Sequence, residues 1–373
     1  GDTTISTSTD NSIGVNTTGS GTSTFNQLTV NTSGASAIGV NVGAGATSTL
    51  GSGSTVTTTG AGAHGVQVVD GTINYTSGDV KTSGDNAYGI FVTNTTPSGV
   101  ALTTAANVTT TGANSRGVVL VGTDATAPNS ATLTGNISAT GTTASGIVMQ
   151  AAGTSADLTV GGNVTATDRG VYVSTTNATS SNITLTTTAG KTISATANAI
   201  EASSTTGATS ITNAATVTSS AGNGIDVVNA LGGSTINNSG DIAATTAGKF
   251  VIAGGNAVET VTTTAGTLTG NTDLGAGNDS FTASGGALVG STFMGSGDDI
   301  TTLKGTVDVT KAPQFDGGTG TDVLNIDGLS MNGFTAASND ATGNNLSLGS
   351  NITAFETINL QNGANFTLTD NLD

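Results

Sequence analysis

A short apolar motif returns ten times along this chain and puts Val or Ile in the same place each time. This marker motif reads small residue, Val or Ile, any residue, then usually an aliphatic residue, and the small residue is Gly except at Ala199 and Ala257. Its Val/Ile members are Val15, Val40, Val66, Ile90, Val118, Ile147, Val171, Ile200, Ile225 and Val258. Successive copies are 25, 26, 24, 28, 29, 24, 29, 25 and 33 residues apart. A repeat of this length, carried by β-branched residues, predicts a solenoid in which each unit buries its apolar face against the next.

Two further apolar sets repeat along with the marker motif. One set runs Ile5, Val30, Val56, Val80, Val108, Ile137, Val164, Ile193 and Val217. The other set runs Leu50, Ile73, Leu102, Leu133, Leu158, Ile183, Ile211 and Ile236. Gly, Asn and Ser residues between the sets are typical of turns. Three short strands per repeat predict an all-β fold, a right-handed three-sided parallel β-helix of about 14 coils with about 26 residues in each.

The marker motif predicts one continuous rod that changes character near residue 260. We expect residues 1–260 to form a β-helix with coils of 24–29 residues, and residues 261–373 to continue it with acidic Gly-Asp turns. Only 8% of the residues are charged, and apolar residues recur in register. That combination favours order, because disordered chains usually combine low hydrophobicity with high charge.

Charge and composition exclude several functions. The net charge is −17 with seven basic residues, so we expect no nucleic-acid partner, because phosphate binding needs clustered Lys and Arg. No apolar run approaches the length of a membrane span, so we expect no membrane insertion by this segment. His64 is the only histidine and Cys is absent, which leaves no His/Cys cluster for a transition metal. Carboxylates are thinly spread over residues 1–260 and no Gly-x-Ser-x-Gly motif occurs, so we predict that the protein is not an enzyme.

The acidic glycine motifs of the C-terminal part contain a candidate ion site. The sequence Gly317-Gly-Thr-Gly-Thr-Asp-Val-Leu324 has the Gly-Gly-x-Gly-x-Asp-x-apolar form of calcium-binding nonapeptides. Asp279, Asp299 and Asp322 recur at steps of 20 and 23 residues and could therefore stack on successive coils. Calcium takes six or more oxygen ligands, however, and no tandem nine-residue repeat is present. Two interpretations stay open: these three Asp bind calcium, or they accept backbone N–H bonds in tight turns. No other cofactor is expected.

Strand alternation predicts which side chains beside the marker motif point outward. The position two residues after the Gly runs Asn16, Asn41, Gln67, Phe91, Val119, Val148, Tyr172, Glu201, Asp226 and Glu259. The position before the Gly runs Ile13, Ile38, His64, Tyr88, Arg116, Ser145 and Arg169. We expect an exposed apolar strip of Phe91, Val119, Val148 and Tyr172, edged by His64, Tyr88, Arg116 and Arg169. Such strips often mark contact surfaces, in which Tyr and Arg are favoured. The alternative is that a loop, residues 95–99 or 122–129, folds over the strip.

Several sequence segments resemble those of one family of secreted proteins. These are Gly78-Asp-Val-Lys-Thr-Ser-Gly-Asp-Asn-Ala-Tyr-Gly-Ile-Phe-Val92, Gly60-Ala-Gly-Ala-His-Gly-Val66 and Ser239-Gly-Asp-Ile242, followed by Leu274-Gly-Ala-Gly-Asn-Asp-Ser-Phe281, Met294-Gly-Ser-Gly-Asp-Asp-Ile300 and Ile352-Thr-Ala-Phe-Glu-Thr-Ile-Asn-Leu360. These segments resemble the repeats in the passenger region of Gram-negative autotransporter adhesins. Their order along the chain resembles that in the C-terminal part of a passenger.

That resemblance implies a rod displayed on the bacterial surface and anchored by a C-terminal outer-membrane barrel that is not in this sequence. It implies a function in cell–cell or cell–host adhesion and biofilm formation. The partners would be other passengers, through self-association, or a host surface protein or glycan. The same segments are also similar to sequences of type I-secreted surface-layer proteins. A calcium-dependent surface-layer or type I-secreted matrix protein is therefore the second interpretation.

Overall fold

The computed structural model describes residues 2–177, 181–328, 330–331 and 351–366. These residues form strands and turns without a helix, and they wind into a parallel β-solenoid of about 13 coils. The predicted all-β parallel β-helix is therefore confirmed, and the number of coils is close to the prediction. Part of the predicted second segment, 261–373, lies outside the described residues. No helix in the described ranges is long and apolar enough to cross a membrane.

Each complete coil contributes strands to three faces, which we number in chain order. The first face contains Thr3–Thr7, Leu28–Thr32, Ser54–Thr58, Ile137–Ala139, Val164–Ala166, Thr192–Ala195, Thr216–Ser219, Ile242–Ala244, Thr267–Thr269 and Ala287–Val289. The second face contains Ile13–Thr17, Ile38–Val42, Val66–Val69, Tyr88–Asn94, Arg116–Gly122, Ser145–Ala151, Val171–Thr175, Ile200–Ser204, Ile225–Asp226, Phe250–Ala253, Asn271–Asp273, Thr292–Phe293, Phe315–Asp316 and Ile352–Thr353. The third face contains Thr22–Phe25, Thr47–Leu50, Pro128–Leu133, Ser155–Val160, Asn182–Thr187, Thr209–Asn213, Ser234–Asn238, Glu259–Thr263, Ser280–Ala283, Ile300–Lys304, Val323–Asp327 and Thr357–Gln361.

Two long strands, Thr72–Thr82 and Ala101–Thr110, run through the corner between the third and first faces. They join these faces into one sheet of 24 strands, whereas the second face is a separate sheet of 14 strands. In one further parallel pair, Ser330–Met331 with Asn365–Phe366, each strand comes after one of the last two strands of the third face.

The marker motif forms an inward column on the second face. Its members pair in register from coil to coil, from Val15 with Val40 through to Ile200 with Ile225. The tenth member is wrong: Ile225 pairs with Ile252, while Val258 is 52% exposed and lies directly before the third-face strand Glu259–Thr263. Ile252 follows Val251 rather than a small residue, and so it lacks the pattern that identifies the other copies.

The set from Ile5 to Val217 also forms one column, on the first face, and Ile242, Leu268 and Leu288 extend it. The third set does not form one column. Leu50 pairs with Tyr75, whereas Ile73 pairs with Ser48. Members of this set are therefore divided among neighbouring inward positions of the third face, because coil lengths differ.

Close packing explains the Gly of the marker motif. An ideal Cβ on Gly117 would lie 2.4 Å from Ile137 Cγ2 and 2.6 Å from the Gly146 carbonyl oxygen. The Gly residues of the other coils between Gly14 and Gly146 would come within 2.2–2.5 Å of a core side chain in the same way. The restriction is local to each coil, since Ala199 and Val251 occupy this place in two later coils.

We predict that Gly117→Ala lowers the stability of the rod by about 1–3 kcal/mol, the usual cost of overpacking a core. Gly43→Ala is the matched control, because its nearest contact would be Thr18 Cγ2 at 3.2 Å. Thermal unfolding of the two variants measures the difference. Equal midpoints would contradict the packing explanation.

Candidate functional site

The two outward columns of the second face have the predicted alignment over most of their length. Phe91 pairs with Val119, Val119 with Val148, and Val148 with Tyr172. The column then continues through Glu201 and Asp226. Its last predicted member is wrong, because Ala253 follows Asp226 and Glu259 is fully buried on the third face.

The apolar strip is less exposed to solvent than the sequence predicts. Val119 and Val148 are only 2% and 5% exposed, although they lie outside the central core cluster. Phe91 and Tyr172, at the two ends of the strip, are half-buried. Because each valine has a neighbour one rung away on both sides, the stacked side chains shield one another from solvent. The strip is thus a small apolar layer on the outside of the sheet.

Aromatic rings pack together at the Phe91 end of this layer. The rings of His64 and Tyr88 stack with centroids 4.8 Å apart and planes 14° apart. Phe91 meets both rings edge-on, at 5.3 Å from His64 and 5.4 Å from Tyr88. The Tyr88 backbone N–H donates to His64 Nδ1 at 3.1 Å. Burial lowers the pKa of His64, so the neutral imidazole that accepts this bond predominates at neutral pH.

Two arginines stack on tyrosine rings along the same face. Arg116 Cζ lies 5.4 Å from the ring centroid of Tyr88, and Arg169 Cζ lies 4.7 Å from that of Tyr172. Both distances are within the range of cation–π attraction. Arg169 also forms an ion pair, with its Nε 2.9 Å from Glu201 Oε2. We call these eight residues the aromatic–arginine surface: His64, Tyr88, Phe91, Arg116, Val119, Val148, Arg169 and Tyr172.

Acidic residues form a second site inside the solenoid. One position of the third face carries Glu259, Asp279, Asp299, Asp322 and Glu356 on successive coils. The first four side chains are buried, whereas Glu356 is exposed. Each carboxylate after that of Glu259 accepts the backbone N–H of the acidic residue one coil earlier, at 2.7 Å for Glu259 N–H to Asp279 Oδ1 and for Asp279 N–H to Asp299 Oδ1. The bonds to Asp322 and Glu356 are 2.8 and 2.6 Å long. We call this set the carboxylate column.

The second oxygens of this column are poorly satisfied. Asp279, Asp299 and Asp322 are at most 1% exposed, and the Oδ2 atom of each is buried without a hydrogen-bond partner. Burial raises the pKa of Glu259 to about 8 and that of Asp279 to about 7, and the next carboxylate adds repulsion in both cases. Burial also raises the pKa values of Asp299 and Asp322. Asp273, Asp298 and Asp316 are the further acids that repel the column.

The three Asp predicted as calcium ligands therefore stack, but they do not converge. Among the described residues, no three His, Cys, Asp or Glu side chains are grouped so that they could hold a metal ion. One oxygen of each Asp accepts a backbone N–H, but that N–H lies on the neighbouring coil and not in the same tight turn. The other oxygen is left over. Calcium binding by Asp279, Asp299 and Asp322 stays a prediction.

Sequence reasoning missed the two glutamates of the column. Glu259 ends Gly255-Asn-Ala-Val-Glu259, which has the same spacing as Gly275-Ala-Gly-Asn-Asp279. An acid four residues after a turn Gly was therefore the available signal for Glu259. Glu356 lacks that Gly, and only its register with Asp322 identifies it.

We predict that the C-terminal coils are most stable at acid pH. Carboxyl groups whose pKa is raised by folding stabilise the fold fully below their unfolded pKa near 4, and this stabilisation is lost as pH rises through about 7–8. Asp279→Asn should therefore raise stability at pH 8 by about 1–3 kcal/mol, the cost of a buried unsatisfied group. It should change stability little at pH 4.

Hydrogen exchange of residues 259–327 and thermal unfolding at both pH values measure this effect. Asp85→Asn is the matched control, because its carboxylate accepts the Ala113 N–H at 2.8 Å in the same way but is exposed. C-terminal coils that become more stable between pH 4 and pH 8 would contradict the prediction.

Comparison with known proteins adds no relative. No family model, no curated protein and no solved structure matches this chain.

Proposed function

We propose that this chain is a non-enzymatic adhesion and aggregation rod, a secreted passenger segment of the autotransporter type that is displayed on the cell surface. One observation carries the proposal: the aromatic–arginine surface collects the only His, both Arg and two of the three Tyr of the sequence on one face. In a chain with so few such residues, their concentration on neighbouring coils favours a contact surface.

The packing of this surface suits a binding role. Its rings and guanidinium groups are held by stacking, so little conformational freedom is lost on contact with a partner. Tyr and Arg combine apolar area with hydrogen-bond donors, which is typical of binding hot spots. Each single contact can be weak, because many rods displayed on one cell multiply the affinity through avidity.

The resemblance of residues 60–66, 78–92 and 239–242 to passenger repeats supports extracellular display on a Gram-negative cell. The solenoid itself fits such a role, since its coils extend a surface along an axis without needing a larger core. Partners of the surface would be a second passenger or a host surface protein or glycan.

We expect Phe91→Asp with Tyr172→Asp to reduce adhesion or aggregation more than tenfold, because loss of a binding hot spot typically costs about 2 kcal/mol or more. Settling and attachment of cells that display the chain measure the effect. Asn41→Asp with Gln67→Glu is the matched control, since it adds the same charge to the same column outside the surface. Unchanged adhesion by a folded Asp variant would refute the assignment of this surface.

The second candidate is a calcium-dependent surface-layer or type I-secreted matrix protein. The unpartnered Oδ2 atoms of Asp279, Asp299 and Asp322 favour it, because buried carboxylate oxygens without donors can accept a cation. This function predicts that calcium raises the unfolding temperature of the chain and that Asp299→Asn abolishes the rise. An unfolding curve that calcium does not shift would eliminate this candidate.

A further inference from the structure

The two arginines of the chain lie two coils apart on the aromatic–arginine surface. Arg116 pairs in register with Ser145 on the next coil. Gly146, the neighbour of Ser145, donates its backbone N–H to the carbonyl of Arg169 one coil further on. Two rungs of a parallel sheet correspond to ~10 Å along the axis of the rod. The face therefore presents one guanidinium group on every second coil of this segment.

Both guanidinium groups are available to a planar anion. No acidic partner of Arg116 occurs among the ion pairs of the described residues. Arg169 uses its Nε for Glu201, and its side chain remains 41% exposed. Stacking on Tyr88 and Tyr172 fixes the orientation of the two groups, which favours bidentate binding of a carboxylate.

The surface between the arginines suits a ring-shaped ligand. Val119 and Val148 are buried and form a low floor, while the half-buried rings of Phe91 and Tyr172 stand at its ends. The half-buried rings of Phe91 and Tyr172 can accept the apolar C–H face of a sugar, whereas its hydroxyl groups remain at the solvated side.

We propose that this surface binds a uronic-acid-containing polysaccharide that lies along the axis of the rod, with the carboxylates of alternate sugars on Arg116 and Arg169. An extended β-linked chain advances by about one rung of the sheet per sugar, so acids on alternate sugars match arginines on alternate coils. The inference rests on the proposed function, because it names the ligand class of the same adhesive surface.

The neighbouring positions limit the length of this site. Towards the N-terminus the outward column carries the neutral residues Asn16, Asn41 and Gln67. Towards the C-terminus it carries Glu201 and Asp226, which would repel an acidic chain. A short segment of polysaccharide therefore contacts each rod, and tight attachment depends on many rods.

Hyaluronan oligosaccharides are the probe, because their carboxylates occur on every second sugar. Binding to the 373-residue chain is measured by titration calorimetry or biolayer interferometry at low and physiological salt. We expect binding to hyaluronan and a loss of at least about tenfold in affinity for hyaluronan whose carboxylates are reduced to alcohols. Arg116→Gln with Arg169→Gln should cause a similar loss. Lys249→Gln with Lys311→Gln, two exposed lysines elsewhere, should have an effect below about twofold.

Arg116→Gln alone keeps the proposal testable if loss of the Arg169–Glu201 pair disturbs folding, because Arg116 has no such pair to lose. Absence of hyaluronan binding, equal binding of the reduced polymer, or an equal effect of the lysine variant would overturn the proposal. If hyaluronan does not bind but Phe91→Asp with Tyr172→Asp still abolishes adhesion, the adhesive surface stands and only the ligand class falls. If adhesion is unchanged as well, both fall.

Discussion

Hydrogen bonding between parallel strands in register is the constraint on which the rest of this structure depends. Each residue of a strand lies directly over its partner one coil away, at a spacing of ~4.8 Å. The meaningful unit is therefore the column rather than the residue. Whatever chemistry occupies one position is repeated, supported or opposed by the same position on the coils above and below.

Inward columns show how differently this constraint acts on different side chains. Stacked Val and Ile of the marker motif are fully compatible with it, because they only need apolar neighbours. A polar column can also be satisfied: Asn213 Nδ2 donates to Asn238 Oδ1 at 2.8 Å, and Asn238 Nδ2 donates to Thr263. The carboxylate column cannot satisfy itself in this way. A carboxylate has no donor, so each additional charge in the stack increases repulsion unless a proton or a cation is taken up.

Much of the fold was predictable because periodicity is a property of the sequence. The marker motif identified nine of the strands on the second face, with the correct pairing from Val15 to Ile225. It failed at the next coil because Val251 replaces the Gly and because Val258 reproduces the pattern by chance just before a strand of the third face. The repeat in the sequence shows how many residues separate two coils. It does not show where in a coil the extra residues bulge out, and those positions determine the register of the strands.

The candidate sites were predictable in position but not in environment. Sequence placed Phe91, Val119, Val148 and Tyr172 in one outward column, and the structure agrees. It could not predict the burial of the two valines, which depends on shielding by stacked neighbours. Nor could it show that one oxygen of each stacked Asp is bound and the other is not, since that depends on the direction of a single carboxylate.

The separation of the two sites along the rod has a consequence for how the molecule can change. Contacts in a solenoid join only adjacent coils, so a disturbance weakens as it passes from one repeat to the next. The carboxylate column begins at Glu259, several coils beyond Tyr172. The acidic end can therefore fray or tighten with its surroundings while the aromatic–arginine surface keeps its shape. The stability of the acidic end of such a rod can therefore change without altering the proposed contact surface.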